Sequence, residues 1–417
     1  MRLNNIDTVH TFTEPNMTDA NNKILKQKLL PTQPNRRRFM GLVGGGIVVC
    51  ASPLISGCST ELPAAAVAAW KLPSDNIDLR RYILAHALLA PNPHNRQPWL
   101  ADLRKPNEIT LVCDKNRLLP ETDPYGRQII VGCGAFIELA VMAAAHRGYR
   151  IDVKLFPDGE PEISKLPGGS TVARLVLVPD ATLATNPLFT LIALRRTNKG
   201  VYDNARVIPQ AQWDQFMSAG RDFGLQAGAV TGTNQIQSVR DIARSAYDIE
   251  TLTPRTWLES GRLLRIGPDA IEKNRDGISI NGIMPRLLTT VGLFDPLEVP
   301  IKGDSNHKRM IDRWASFETG SGYFWLASES NSRKAQINSG RAYLRAQLMA
   351  TAAGLSMHPL SQALQEFTEA AAPYQAIHRL LGFDPASHTL QMLARVGYPI
   401  ANTNPSPRRE LDSLIEI

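Results

Sequence analysis

Three short stretches of the chain carry side chains that could bind a ligand together. Residues 91–99 read PNPHNRQPW, residues 194–203 read LRRTNKGVYD, and the tail, residues 397–417, reads GYPIANTNPSPRRELDSLIEI. The prolines fix φ and remove backbone donors, so the first stretch is predicted to be a stiff loop that presents amide side chains. Amides donate and accept hydrogen bonds, whereas guanidinium groups bind anions. Taken singly, each basic stretch is better explained as a solvated turn or tail than as a binding site.

Other familiar chemistry is absent from the sequence. It has no His-Glu-x-x-His, no phosphate loop, no Gly-x-Ser-x-Gly elbow and no cysteine/histidine cluster with metal-ligand spacing, so we expect no metal site. The formal net charge is +7, but residues 1–57 hold seven basic and three acidic residues. That region therefore contributes +4, which leaves +3 for the rest. Without a basic run interleaved with aromatics, no nucleic-acid partner is expected.

The basic N-terminus is better explained as a targeting segment. Residues 35–57 place Asn-Arg-Arg-Arg-Phe-Met before an uncharged apolar run and resemble a twin-arginine export signal. The sequence LISGC resembles a lipoprotein box with Cys58 as the lipidated residue, although simple cleavage near Gly57 or a single membrane anchor fits as well. We therefore expect a signal over residues 1–57, a tether over 58–76, and a periplasmic or membrane-anchored protein.

Hydrophobic periodicity predicts the elements that position the three stretches. A helix is expected over residues 78–89, two strands around the Lys-Pro-Asn turn at 105–107, and strands at 151–157 and 172–179. Residues 123–148 predict a central helix that is apolar on nearly every face, capped by Asp123 and ended by Gly148. A second helix of this kind is expected to begin at Asn338 or Ser339 and to end at Gly354. An apolar helix is also expected just before Arg195.

The two central helices suggest an internal duplication. Gly134 and Gly148 have the same spacing as Gly340 and Gly354, and both intervals are rich in alanine, leucine and methionine. We therefore predict an α+β fold with two pseudo-repeats, residues 77–185 and 186–417, each with a mixed or antiparallel sheet around a buried central helix. Residues 251–330 fit neither half and are predicted to be an insertion that acts as a lid.

Taken together, the three stretches resemble the FMN-binding nitroreductase superfamily. In that family an Arg-x-Ser-x-Arg/Lys motif and a C-terminal basic pair hold the flavin phosphate and ribityl chain. A Pro-Ser-x-x-Asn-x-Gln-Pro-Trp loop lies against the flavin from across the dimer interface. The resemblance places these residues at the cofactor: Asn92, Pro93, Asn95, Gln97, Arg195, Thr197, Lys199, Arg408 and Arg409. Thr197 stands where serine is usual.

The order of the motifs refines the resemblance. In the ordinary family the basic motif precedes the loop, whereas here the loop comes first. A tandem duplication explains this order, and the chain resembles the Acg-like branch, in which one polypeptide mimics the dimer. The resemblance implies one FMN per chain, with Lys199 favouring the reduced flavin. We further expect Arg195 and Arg409 to meet at a solvent-open phosphate site.

One departure affects the expected chemistry. The family presents a Pro-x-Glu-Gly turn near the flavin N5, where this chain has Pro359-Leu360-Ser361-Gln362, so Ser361 and Gln362 are candidates near N5. The resemblance implies electron transfer to a small acceptor such as a nitroaromatic or a quinone. The donor is NAD(P)H or, for an exported chain, a periplasmic donor. An exported protein that sequesters flavin with little turnover is the alternative, and a monomer and a homodimer remain open.

Cys113 and Cys133 are predicted to be core residues, with a disulfide between them as the alternative.

Overall fold

The computed structural model of the protein describes residues 60–74 and 76–416. The predicted signal and Cys58 lie outside these residues. The helices are α1 (Ala64–Val67), α2 (Leu79–Ala87), α3 (Arg127–His146), α4 (Gln210–Arg221), α5 (Thr233–Leu252), α6 (Pro254–Arg262), α7 (Pro268–Asn274), α8 (Ile283–Thr290), α9 (Ser305–Trp314), α10 (Arg333–Ala352) and α11 (Ala371–Leu380). Short 3₁₀ turns connect several of them.

Two larger sheets and a two-stranded ribbon hold the strands. The strands are β1 (Trp99–Asp102), β2 (Glu108–Cys113), β3 (Tyr149–Leu155), β4 (Thr171–Pro179), β5 (Tyr202–Asp203), β6 (Gln226–Val230), β7 (Leu264–Ile266), β8 (Ile278–Ile280), β9 (Gly322–Ser328), β10 (Ser356–Pro359), β11 (Thr389–Pro399) and β12 (Ile415–Glu416). The first sheet has the order β12-β1-β2-β4-β3 and the second has the order β10-β11-β9-β6, with β5 paired to β11. The predicted α+β class is confirmed.

The two sheets repeat one topology. Read from the strand that follows α2 or α4, the first sheet runs β1-β2-β4-β3 and the second runs β6-β9-β11-β10, and all of these neighbours are antiparallel. Each sheet is accompanied by one long central helix, α3 or α10. This repetition supports the predicted internal duplication. The C-terminal β12 joins the first sheet parallel to β1, so the end of the second half completes the sheet of the first.

The central helices α3 and α10 cross at two glycines. A Cβ on Gly134 would lie 2.1 Å from the carbonyl oxygen of Ile337, and a Cβ on Gly340 would lie 1.9 Å from that of Val131. Each glycine is the eighth residue of its helix, and each contacts the fifth residue of the other helix. The contact is therefore symmetric, and only glycine permits this separation of the two backbones.

The starts of both central helices differ from the prediction. Helix α3 begins at Arg127 after the left-handed Gly126, although the Asp123 carboxylate still accepts the backbone N–H groups of Gln128 and Ile129. Helix α10 begins at Arg333 and is capped by the Ser332 hydroxyl. Asn338 and Ser339 are interior residues whose side chains bond the carbonyls of Phe223 and Ala335. The predicted glycine ends hold, since Gly148 and Gly354 both have positive φ.

Three boundaries in the sequence reading need correction. The predicted insertion corresponds to the connection between the neighbouring strands β6 and β9, which we call the excursion. It runs over residues 231–321, not 251–330, because the apolar segment Gly322–Ser328 is the buried strand β9. In the predicted tether over 58–76, Trp70 is only 9% exposed because its indole packs into the core. The segment before Arg195 is a 3₁₀ turn, Phe189–Leu191, and not an α-helix.

Helix α3 is long and apolar enough to cross a membrane by length and composition. Its most apolar window, however, is 83% buried within the fold. The helix packs against α10 and α2 in the main hydrophobic core, which it shares with the first sheet. Its composition is thus accounted for by its position at the centre of the molecule.

Candidate functional site

The proline-bracketed loop adopts an unusual backbone conformation. His94, Asn95 and Gln97 have φ values of 48°, 51° and 52°, which is the left-handed region that residues with a Cβ rarely occupy. Such conformations cost about 1–3 kcal/mol each and persist where the surroundings hold them. Asn92 fixes the loop from within, because its Oδ1 accepts the Gln97 N–H at 2.7 Å. Pro93 opens the 3₁₀ turn Pro93–Asn95.

The C-terminal tail holds this loop through reciprocal hydrogen bonds. Asn95 donates to the Pro407 carbonyl at 2.9 Å and accepts from Arg408 Nη1 at 2.6 Å. Gln97, fully buried, accepts the Arg409 backbone N–H at 2.8 Å and donates to the Arg275 carbonyl at 2.8 Å. The tail therefore positions the amides of the loop and occupies part of their hydrogen-bonding capacity.

Three arginines gather around one tryptophan, and none of them forms an ion pair with a carboxylate of the described residues. The guanidinium carbons of Arg196, Arg408 and Arg195 lie 4.3, 5.2 and 5.6 Å from the Trp70 ring centroid. We call these four residues the arginine cluster. Both Arg195 and Arg408 donate to the Leu89 carbonyl, at 2.9 and 3.1 Å. Every hydrogen bond that the structure gives the three guanidinium groups goes to a carbonyl, amide or hydroxyl oxygen.

The electrostatics of this cluster favour an anion. Burial, with the neighbouring guanidinium groups as a second cause, lowers the pKa of Arg408 well below its usual value. Burial likewise lowers the pKa of Arg195 to about 10. Both Nε atoms are buried and have no hydrogen-bond partner among the described residues. Because uncompensated buried charge is costly, an anionic group placed here would be stabilised strongly.

Arg409 does not belong to this cluster, which corrects the expectation that it meets Arg195 at a solvent-open site. Both side chains are buried, and Arg409 Nη1 lies 4.0 Å from the Asp114 carboxylate. Arg409 also donates to the carbonyls of Gln97, Trp99 and Ser413. It is part of a network in which the carboxylates of Asp114 and Asp276 lie within ion-pair distance of four arginines, namely Arg96, Arg117, Arg265 and Arg409.

The basic motif leads from the arginine cluster into a cleft. Thr197 Oγ1 accepts from Gln347 Nε2 at 3.3 Å, and Gln347 Oε1 accepts from Arg195 at 3.1 Å. Lys199 keeps solvent-accessible surface although protein atoms surround much of its side chain, and we call the surroundings of this side chain the cleft. Loss of hydration, followed by the charge of Arg313, lowers the pKa of Lys199 to about 8. No hydrogen bond to Lys199 Nζ occurs within the described part of the chain.

Two neutral histidines line the same cleft. His94 Nε2 lies 2.9 Å from Ser260 Oγ, and burial, then Lys199, lowers the pKa of His94 to about 4. Arg395 Nε donates to His358 Nδ1 at 3.1 Å, so the proton of His358 is on Nε2. Burial and Arg395 hold the pKa of His358 well below its usual range. The charge of Lys199 contributes to the lowered pKa of both His94 and His358.

A buried acid completes the cleft, and the sequence reading missed it. Glu250, near the end of α5, is 9% exposed, and its Oε2 has no hydrogen-bond partner among the described residues. Burial raises the pKa of Glu250 to about 7, although hydrogen bonds from Gln365 and Gln362 oppose the shift. Gln362 and Ser361 lie on the 3₁₀ turn Ser361–Leu364 after β10. A glutamate in an amphipathic helix gives no sequence signal of this role.

The fold and the site together define an α+β protein with two similar halves and a cationic, buried candidate site formed by its loop, its basic motif and its tail. No family model matches the chain. Over 342 residues, 81% of this chain and 90% of the relative, it is 27% identical to a protein of Mycobacterium tuberculosis (strain ATCC 25618 / H37Rv) named "Putative NAD(P)H nitroreductase". A second protein of that strain with this name, acg, is 38% identical over 72 residues, 17% of this chain and 22% of the relative. In sequence the chain is a homologue of proteins named as nitroreductases.

Solved structures give a weaker comparison. The FMN and NADPH-dependent nitroreductase NfnB from Sphigopyxis sp. strain HMH covers 56% of this chain and 99% of its own, at 16% identity and a TM-score of 0.35. The FMN-dependent nitroreductase NfnB from Mycobacterium smegmatis, in complex with NADPH, covers 54% and 94%, at 15% identity and a TM-score of 0.34. Scores of this size do not establish a shared architecture, so the fold described above rests on this chain's own strands and helices.

Proposed function

We propose that this chain is an FMN-dependent oxidoreductase of the nitroreductase type that transfers electrons to a small acceptor such as a nitroaromatic or a quinone. The observation that carries the proposal is the arginine cluster, in which three guanidinium groups lie around Trp70 and none is paired with a carboxylate in the described part of the chain. It adjoins a polar cleft that holds Lys199 and two neutral histidines. A cofactor with an anionic group and a polar ring would match both the arginine cluster and the adjoining cleft.

The residues present fit FMN. Its phosphate carries roughly −1.5 to −2 charge, and the buried Nε–H groups of Arg195 and Arg408, which have no partner among the described residues, can donate hydrogen bonds to it. Thr197 follows in the same segment and offers a hydroxyl to the ribityl chain or phosphate. Lys199 lies two residues further, at the cleft, where the ring would bind. Of the loop amides, Asn92, Asn95 and Gln97 already have protein partners, so we propose that they shape the cleft.

When bound, FMN supplies two-electron chemistry at its ring, and the protein supplies electrostatics and orientation. The Lys199 ammonium favours negative charge in the cleft and so favours the reduced cofactor. His358 presents an Nε2–H donor in a fixed tautomer because Arg395 occupies Nδ1. Glu250 keeps a proton up to a pH of about 7 and can release it in the cleft.

The electron donor follows from the relatives rather than from the site. One homologue is named as an NAD(P)H nitroreductase, so we propose NAD(P)H as the donor in the test tube. If residues 1–57 export the chain, a periplasmic carrier replaces it in the cell. Export and lipidation at Cys58 remain predictions from the sequence.

The first experiment is an absorption spectrum of the purified chain, with the released chromophore identified by mass. We expect FMN at about one per chain, reduced by NADPH in stopped flow and reoxidised by a quinone. A colourless chain that takes up no added FMN would refute cofactor binding. A flavin that only dithionite reduces and that quinones leave unchanged would refute turnover and indicate a flavin-storage protein.

A variant pair tests which arginines hold the phosphate. Arg195→Gln combined with Arg408→Gln removes two guanidinium groups that have no carboxylate partner, and we expect FMN affinity to fall at least 100-fold while riboflavin affinity stays constant. Arg409→Gln is the matched control, because Arg409 lies beside Asp114 and outside the arginine cluster, and it should retain FMN. Circular dichroism checks that each variant folds. If Arg409→Gln alone abolishes FMN binding, the phosphate site is misassigned.

A further inference from the structure

A segment near the N-terminus covers the arginine cluster. We call residues 61–72 the strap. The Ala66 carbonyl accepts the backbone N–H of Arg408 at 2.9 Å, and the Trp70 indole N–H donates to the Ser406 carbonyl at 2.8 Å. The Glu61 carbonyl accepts from Asn281 Nδ2 at 2.6 Å. The strap is thus fastened both to the C-terminal tail and to the excursion.

Trp70 is the residue by which the strap meets the cluster. Its indole is 9% exposed and lies within 6 Å of three guanidinium carbons, the closest being that of Arg196 at 4.3 Å. Arg195 and Arg408 beneath it are each 2% exposed. Stacking on an indole attracts a cation but cannot neutralise it, so the charge of the cluster remains available to an anion. The ring therefore bounds the cluster without satisfying it.

We propose that Trp70 selects the flavin by closing the phosphate end of the site, so that a terminal phosphate monoester is accepted and a pyrophosphate-linked dinucleotide is rejected. This inference rests on the proposed function. The phosphate of FMN ends the molecule and needs no exit beyond the guanidinium groups. In FAD a second phosphate and an adenosine continue from the same position, and the indole and its Ser406 hydrogen bond stand in that path.

The geometry also explains why a substitution at Trp70 differs from a loss of charge. Removing an arginine weakens the binding of every phosphate-bearing flavin, because each one uses the same charge-assisted hydrogen bonds. Removing the indole leaves the three arginines in place and opens the space on their outer side. The ratio of FAD affinity to FMN affinity therefore reports on Trp70, whereas the affinity for riboflavin, which has no phosphate, should not change.

The experiment titrates flavin-free full-length chain with FMN, FAD and riboflavin and follows flavin fluorescence. We expect the unsubstituted chain to bind FMN at least 100-fold more tightly than FAD. In Trp70→Ala the preference should fall to about tenfold or less through tighter FAD binding. Trp70→Phe is the matched control, since it keeps a flat ring without the N–H donor, and it should keep most of the preference. Circular dichroism and thermal melting establish that both variants fold.

Three results would overturn the proposal. The unsubstituted chain could bind FAD as tightly as FMN. Alternatively, Trp70→Ala could lower the affinity for both flavins by the same factor, which would mean that Trp70 has only a structural role. If Trp70→Ala does not fold, Trp70→Leu takes its place, and an unchanged preference in that variant refutes the idea. In each of these cases FMN binding by the unsubstituted chain still supports the proposed function. A chain that binds none of the three flavins refutes that function as well.

Discussion

Glu250 offers the sharpest test of the cleft, because its carboxyl group is buried with one oxygen unpartnered. The groups that face it are Lys199, Glu259 on α6, Tyr247 on its own helix, and the amides of Gln362 and Gln365. Burial is the largest cause of its raised pKa, and Glu259 adds to the shift while Lys199 and the two amides oppose it. Glu250→Gln keeps the shape and removes the titration.

The expected magnitude follows from the pKa. A rise from 4.5 to about 7 corresponds to roughly 3 kcal/mol, at about 1.4 kcal/mol per pH unit. The folded state binds more protons than the unfolded state between these values, so ionising Glu250 lowers the free energy of unfolding as the pH rises through that window. This loss in the free energy of unfolding is small near pH 4.5 and reaches its full size above about pH 7. The free energy of unfolding of Glu250→Gln, relative to that of the unsubstituted chain, should therefore grow by about 2.5 kcal/mol from pH 5 to pH 8.

The assay is urea denaturation of the two flavin-free proteins at pH 5 and pH 8, followed by tryptophan fluorescence. Other buried groups titrate in this range, notably Asp123, whose pKa burial raises to about 6. They occur in both proteins and cancel in the difference. Parallel pH dependence of the two proteins, or a variant that becomes relatively less stable at pH 8, would refute the burial of a protonated Glu250.

Three further predictions concern other parts of the molecule. Gly340→Ala should destabilise the fold by about 3 kcal/mol in thermal or urea melts, since its Cβ would overlap the Val131 carbonyl, whereas the neighbouring Ser339→Ala should cost about 1 kcal/mol. Cys113 and Cys133 are free, fully buried and adjacent, so a thiol reagent should label neither until urea is added and both afterwards; no labelling in urea would indicate a disulfide. With FMN bound, Lys199→Met should lower the flavin reduction potential by about 30 mV or more, and Lys199→Arg should not.

The sequence predicts the core of this fold better than its edges. The central helix α3 is identifiable because its apolar residues cover almost every face, and α10 because it repeats the glycine spacing and small apolar residues of α3. Their first residues are not, since Asp123 and Ser339 are good capping types that the structure uses differently. Asp123 caps α3 from outside the helix, across Gly126, whereas Ser339 bonds back within α10. Local residue type alone does not distinguish these cases.

The candidate site shows the same limit in its charges. The basic residues of the motifs can be identified from the sequence, but the sequence cannot show which arginines form an ion pair with a carboxylate. Arg408 and Arg409 are adjacent in the chain and enter different environments, because consecutive side chains of an extended segment point to opposite sides. Arg408 turns to Trp70, and Arg409 turns to Asp114. The distinction between a binding arginine and a structural one is made only by the fold.

The loop and the tail are best understood as one unit. The left-handed residues His94, Asn95 and Gln97 would each cost about 1–3 kcal/mol in isolation. The tail offsets this cost, since Asn95 and Gln97 exchange hydrogen bonds with the segment 407–409. That same segment places Arg408 in the cluster, while β12 beyond it completes the first sheet. The shape of the loop, the charge of the cluster and the closure of the sheet therefore depend on one another, and residues distant in sequence act together because the end of the second half is built into the first.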